Sequence, residues 1–166
     1  DPPGPVGSTM RTLDELLPSW GKTLSSSGGC TSQRFTCVMS NQAVLDHETG
    51  LVWQRTPGQA SDTWQAANAG CQNGLYANRL GWRLPTLSEI FTLFDSATAD
   101  GLPLQHPFLS YGVGYVFWTS TTDPTDEQTV LAMFFGGAGY YESLAKLRHG
   151  QDLFAQAQTW CVRSPG

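Results

Sequence analysis

The stretch "GWRLPTLSEI", Gly81 to Ile90, joins an extended arm to the start of a helix. Thr86 and Glu89 stand at capping-box spacing, so the Thr86 hydroxyl can accept from the Glu89 amide while the Glu89 carboxylate reaches back to the Thr86 amide. Leu87, Ile90, Phe91 and Phe94 then fall at helical spacing, which predicts one apolar face laid on a core. Pro85 keeps Leu84 extended and stops the helix from starting earlier. Trp82 and Leu84 alternate with Arg83, as in a short strand or arm.

Working outward, "CVMSNQAVLDHETGLVWQR" holds two apolar runs around "DHETG", a hairpin with Gly50 at its end. "SDTWQAANAGC" reads as a short helix, with Asp62 at the N-cap, Gln65 three residues on, Gly70 at the C-cap and Cys71 just past it. The helix that begins at Thr86 is the second. A long irregular stretch, "DSATADGLPLQHPFLSYGVG", follows it. "YVFWTSTT", "TVLAMFFGG", "GYYESLAKL", "LFAQA" and "TWCVR" then read as short strands separated by turns. Hairpin, two helices, loops and strands in that order predict an α+β domain with an antiparallel sheet whose first and last strands are neighbours.

The chain has 166 residues, enough for one domain with a core and a short appendage. Only 14% are charged, while 18 Gly and 10 Pro make the chain rich in loops. Six Trp, eight Phe and five Tyr supply ample area to bury, which excludes a disordered chain. A net charge of -5 argues against nucleic-acid binding, which calls for a basic surface. No apolar run is long enough to insert in a membrane. With no signal peptide at Asp1, the chain reads as cytosolic or as a mature piece of a longer protein.

The four cysteines, Cys30, Cys37, Cys71 and Cys161, favour the second of these. They allow three pairings. Cys30 and Cys37 flank the short run "TSQRFT", so a local clasp is the simplest choice, and it leaves Cys71 with Cys161. Zinc is the rival reading, and no C-x-x-C spacing supports it. Two disulfides imply an oxidising, extracytoplasmic location.

Three segments follow from these readings. Residues 1–9, "DPPGPVGST", have Gly4 and Gly7 three apart among prolines, as in the last triplets of a collagen-like tract; a flexible leader is the plain alternative. Residues 10–29 hold a stripe of Leu13, Leu16, Leu17, Trp20 and Leu24, a capping box at Thr12 and Glu15, and then "SSSGGC", which reads as a flexible joint. Such a stripe is too short to be stable alone and has to pack on its own domain or on copies of itself, and the joint favours copies of itself. Residues 30–166 form the globular part.

Four stretches in order, "VLDHETGLVWQR", "GWRLPTLSEI", "VFWTSTT" and "WCVR", resemble the Lcl C-terminal domain family, named for a bacterial collagen-like adhesin. The resemblance covers roughly Ala43 to Arg163. It implies a C-type lectin-like fold, with two helices, a sheet that brings the termini together and many loops, here preceded by a short N-terminal helix. It also implies a secreted or bacterial cell-surface homotrimer at the end of a collagen-like stalk, binding sulfated glycosaminoglycan. In lectin-like folds a cystine ties the first helix to the last strand, and Cys71 with Cys161 matches that pattern. The second helix packs under the sheet in such folds, so "WRLPT" looks like a structural hinge into it, with Arg83 partly buried against a carboxylate or backbone carbonyls, a site that a guanidinium tolerates best. The alternative is a trimerisation or capping domain, or a module that binds a protein partner, without affinity for a glycan.

A sulfated polysaccharide needs cations, and the chain has nine Lys and Arg against fourteen acids. The one dense spot is "KLRH", where alternation puts Lys146 and Arg148 on one strand face with His149 beside them. The ordinary alternative is a solvated strand edge, where lysine guards against aggregation. Arg11 and Lys22, near the stem, are secondary candidates. A double change of Lys146 and Arg148 to Ala is expected to abolish polyanion binding without affecting stability. Sugar-binding calcium lectins carry Glu-Pro-Asn or Gln-Pro-Asp, and neither triplet occurs here. The acids of "DSATADG" and "DPTDE" match no calcium loop, so no metal site and no cofactor are expected. His47, His106 and His149 stand in no H-E-x-x-H, and no G-x-S-x-G or phosphate-binding loop is present, so no catalytic residue is expected.

Overall fold

The computed structural model describes residues 23–58, 60–61, 63–109, 115–135, 139–146 and 157–164. The expected stem and collagen-like tract, residues 1–22, lie outside the described residues. The described part is α+β, with two sheets and two helices.

The first sheet runs β1 (Phe35–Val38), β2 (Ala43–Asp46), β3 (Val52–Gln54) and β10 (Val162–Arg163), all antiparallel. The hairpin around "DHETG" forms as expected. Asp46 accepts from the Glu48 amide at 3.0 Å, and Gly50 takes the left-handed conformation that the turn requires, φ 73°. The last strand differs from expectation, because it pairs with β3 and stands at the edge opposite β1. The side chain of Gln54 explains that choice. It is buried, and its Oε1 accepts the Cys161 amide at 3.0 Å, while its carbonyl accepts the Trp160 indole at 2.8 Å. A buried amide left without those partners would cost about 1–3 kcal/mol.

The second sheet contains β4 (Ala60–Ser61), β9 (Ala157–Gln158), β5 (Val116–Phe117), β7 (Asp126–Phe134), β6 (Thr122–Asp123) and β8 (Tyr140–Ala145). The long strand β7 is its spine. One edge of β7 carries β8, and the other carries β5 and β6 end to end. The sheet is mixed, since β5 and β9 run parallel at Phe117 and Gln158. Three strands, β6 to β8, separate β5 from β9 in the chain, so the two need not run in opposite directions.

Helix α1 (Trp64–Asn73) starts one residue later than the sequence suggests, because Thr63 and not Asp62 is the N-cap and accepts from the Ala66 amide. It also continues through Gly70 to a C-cap at Gly74, so Cys71 lies within the helix. A mid-helix glycine costs about 0.5–1 kcal/mol, and the bond from Cys71 to Cys161 holds the turn that follows it. Helix α2 (Leu87–Phe91) has the expected capping box at Thr86 and Glu89. It is short, and the chain tightens after it into three-residue turns, Leu93 to Ile90 and Phe94 to Phe91. Ile90 and Leu93 therefore enter the core, while Phe91 turns outward and is 52% exposed.

The cysteines pair as expected, Cys30 with Cys37 and Cys71 with Cys161. One side of the interior is aromatic: Trp160 meets Phe108, Phe117 and Trp53 at centroid distances of 4.9, 5.3 and 5.6 Å. Residues read as a flexible joint are tied to the domain. Ser26 donates to the Leu104 carbonyl at 2.7 Å, and the Ser27 hydroxyl and Gly28 amide both reach Gln105 Oε1 at 3.1 Å.

Candidate functional site

The "WRLPT" arm adds to the edge of the first sheet beside β10, since Arg83 bridges Val162 through both backbone bonds at 2.9 Å. Alternation buries Trp82 and Leu84 and sends Arg83 the other way. Its guanidinium meets Glu89 as a fork, Nη1 to Oε2 at 2.7 Å and Nη2 to Oε1 at 2.6 Å, and Nη1 also donates to the Leu84 carbonyl. The pair shifts both groups: the hydrogen bonds from Arg83 hold the Glu89 carboxyl below its usual range, and those to Glu89 raise the guanidinium. The guanidinium is held by Glu89 and the Leu84 carbonyl and the Arg83 backbone by Val162, so this arginine joins arm, helix and last strand.

Of the cations that the sequence singles out, the structure describes Lys146 alone; Arg148, His149, Arg11 and Lys22 lie outside the described residues. Lys146 follows the end of β8. Its Nζ donates to the Glu127 carbonyl at 2.5 Å, lies 3.5 Å from Thr122 Oγ1, and stands 5.6 Å from the centre of the Trp64 ring. Its carbonyl accepts the Trp64 amide at 3.1 Å, while the Trp64 indole donates to Thr119 at 2.8 Å. Lys146 thus pins the open end of the β7–β8 hairpin to the start of α1, so its loss is expected to cost some stability. Its charge still lies at the surface, and no carboxylate pairs with it among the described residues.

Three other cations without a carboxylate partner among the described residues were not singled out by sequence: Arg55, Arg79 and Arg163. Arg55 donates through Nε to the Pro107 carbonyl at 3.0 Å and through Nη1 to the Asn41 carbonyl at 3.3 Å. Arg163 lies 6.0 Å from the centre of the Trp82 ring, and that ring meets Tyr76 edge-on at 5.4 Å. Arg79 is exposed, at the end of the tight turn from Tyr76. The Tyr76 hydroxyl donates to the Gln42 carbonyl at 2.7 Å, which joins that turn to the loop between β1 and β2. Burial pushes the Tyr76 phenol up, so the hydroxyl stays a donor. The only local signal for this cluster was the turn "YANR", and nothing in it points to Arg55, 24 residues earlier.

Four aspartates are engaged, three of them within their own turns. Asp95 accepts the Ala97 amide, Asp126 the Gln128 amide, and Asp100 the Leu102 amide and the His106 ring. Asp123 accepts from the Ser143 and Thr125 hydroxyls and the Thr125 amide, and these bonds, that of Ser143 foremost, hold its carboxyl below the usual range. Among the described residues no three His, Cys, Asp or Glu stand together as metal ligands. By contrast, Arg34 is buried between Asp46 and Glu48, at 3.3 and 3.2 Å, and donates to the Thr92 carbonyl at 2.6 Å.

The family model described as the Lcl C-terminal domain matches residues 42–163. No curated protein and no solved structure matches the chain. The matched span opens at Gln42, whose carbonyl receives Tyr76, and closes at Arg163, over Trp82.

Proposed function

The chain belongs to the Lcl C-terminal domain family, which is associated with surface adhesins, and from that premise we propose that it binds sulfated glycosaminoglycan or a similar anionic polysaccharide without chemical turnover. The family match over residues 42–163 carries this reading. In the proposal the chain is a trimeric tip at the end of a collagen-like stalk, displayed on a bacterial surface or secreted, with a C-type lectin-like architecture. Two disulfides suit that setting, since they persist in oxidising compartments.

Charge sets how such binding would work. The chain is acidic overall, so long-range attraction does not gather a polyanion, and local cations have to do so. Lys146, with Arg148 and His149 beyond it, is the proposed contact on the globular part, and Arg11 and Lys22 are proposed as additional contacts near the stem. One exposed cation contributes about 0.2–1 kcal/mol. Three copies on one assembly hold a repeating polymer far better, because the second and third contacts are intramolecular.

A glycan array probed with the full-length chain tests this reading. Sulfated and uronate-containing glycans are expected to bind, neutral glycans of equal length are not, and added salt should erase the signal. An array without anionic hits in low salt would favour the protein-partner alternative. Exposed Leu75 and Leu80, on either side of the Tyr76 turn, offer apolar contacts for such a partner.

A further inference from the structure

Two turns face one another beside the first sheet, and between them lies a pocket of about 240 Å³. One wall is the loop between β1 and β2, with Met39, Ser40 and Gln42; the other is the turn after α1, with Ala77, Asn78 and Arg79. Both walls are built from residues in the left-handed region. Met39, Ser40 and Asn41 have φ of 52°, 54° and 62°, and Ala77 and Asn78 have 53° and 56°. The walls are fixed to each other from behind. The Gln42 carbonyl accepts both the Tyr76 hydroxyl, at 2.7 Å, and the Arg55 amide, at 2.9 Å, while Arg55 Nη1 holds the Asn41 carbonyl.

The side chains that line the pocket are otherwise unspent. Among the described residues, Ser40 Oγ, the side-chain amides of Gln42 and Asn78 and the Arg79 guanidinium make no hydrogen bond and no ion pair. No acid lines the pocket. A rigid frame thus holds one fork-shaped cation, two amides and a hydroxyl around a small space, with Ala77 and Met39 as its apolar part. A guanidinium takes a carboxylate through two parallel bonds. Amides and hydroxyls both donate and accept, which suits the alternating hydroxyls of a sugar ring. The volume is below that of common drug-sized sites and admits one ring, not a threaded polymer.

We propose that this pocket binds a single acidic sugar unit of the uronic-acid class, end-on, with Arg79 on the carboxylate and Ser40, Gln42 and Asn78 on the ring hydroxyls. The proposal rests on the reading that the partner is an anionic saccharide, and it places a second, unit-sized contact apart from Lys146.

Amide NMR of the full chain, titrated with sodium glucuronate, tests it, with glucose and sodium acetate as controls at equal concentration and ionic strength. Saturable shifts are expected at Ser40, Gln42 and Ala77 to Arg79 with glucuronate only. In a folded Arg79→Gln chain the affinity should fall at least tenfold. Silence at these residues, equal shifts with acetate or with glucose, or undiminished affinity in Arg79→Gln would each overturn the assignment. Heparin retention, measured separately, tells the two proposals apart. Retention with a silent pocket removes only this one, whereas glucuronate binding without retention leaves the pocket standing and removes the polymer reading.

Discussion

Glu89 accepts both terminal nitrogens of Arg83, at 2.6 and 2.7 Å, and the amide of Thr86 at 2.8 Å. One carboxylate therefore joins the extended arm, the start of α2 and, through the backbone of Arg83, the last strand. Its depressed pKa gives the domain an acid sensitivity. Between the folded and unfolded pKa values the unfolded chain binds more protons, so stability rises with pH there. The contribution of Glu89 is complete above its unfolded value of about 4.3 and is lost as pH falls through the lower, folded value. Water screens a pair this exposed, so the expected size is about 1 kcal/mol. Melting curves of the natural chain and Glu89→Gln should differ at pH 7 and converge in acid. A gap that stays constant below pH 4 would show that the charge is not the cause.

The two disulfides should differ in weight. Cys71–Cys161 spans 90 residues and Cys30–Cys37 spans 7. Loop-closure entropy makes the long link worth about 4–5 kcal/mol and the short one about 2 kcal/mol. Denaturant midpoints of the two paired Cys→Ala variants should fall in that order. A larger loss from the short loop would mean that its role lies in the native state.

Lys146→Ala should lower stability by about 1 kcal/mol, because a bond to the Glu127 carbonyl and a contact with Trp64 are lost. That corresponds to a drop of about 2–4 °C in a chain of this size. Lys146→Arg, which can keep both contacts and the charge, should recover most of it. Polyanion retention has to be compared at a temperature where the variants are fully folded.

Ala77 takes φ 53° in a two-residue turn, where glycine would fit without strain. The left-handed conformation costs about 1–2 kcal/mol, and the greater freedom of glycine in the unfolded chain returns about 0.5–1 kcal/mol of that. Ala77→Gly should therefore raise the melting temperature by about 2 °C. A lower one would show that the methyl group packs better than its backbone suggests.

What the sequence disclosed depended on how local the cause was. The capping box at Thr86 and the hairpin at "DHETG" rest on neighbours within a few residues, and both were legible; the half-buried Arg83 followed from the family resemblance. The place of the last strand beside β3 was not, because it turns on the buried amide of Gln54, more than a hundred residues away. Phe91 was misplaced because only Ile90 of α2, and Leu93 in the tighter turn after it, are buried in the core. Lys146 was noticed for its charge, yet its ties to Trp64 and Glu127 depend on the pairing of three elements. Arg55 and Arg79 come to one corner only because Tyr76 reaches Gln42.

The most direct test of the central claim is the affinity of the full chain for heparin as a function of salt. Each cation that neutralises a sulfate or carboxylate releases counterions, so the logarithm of affinity should fall steeply and linearly with the logarithm of salt concentration. The expected result is retention in low salt and a slope steeper than a single charge contact can give. Absence of binding in low salt, or affinity indifferent to salt, would contradict the account.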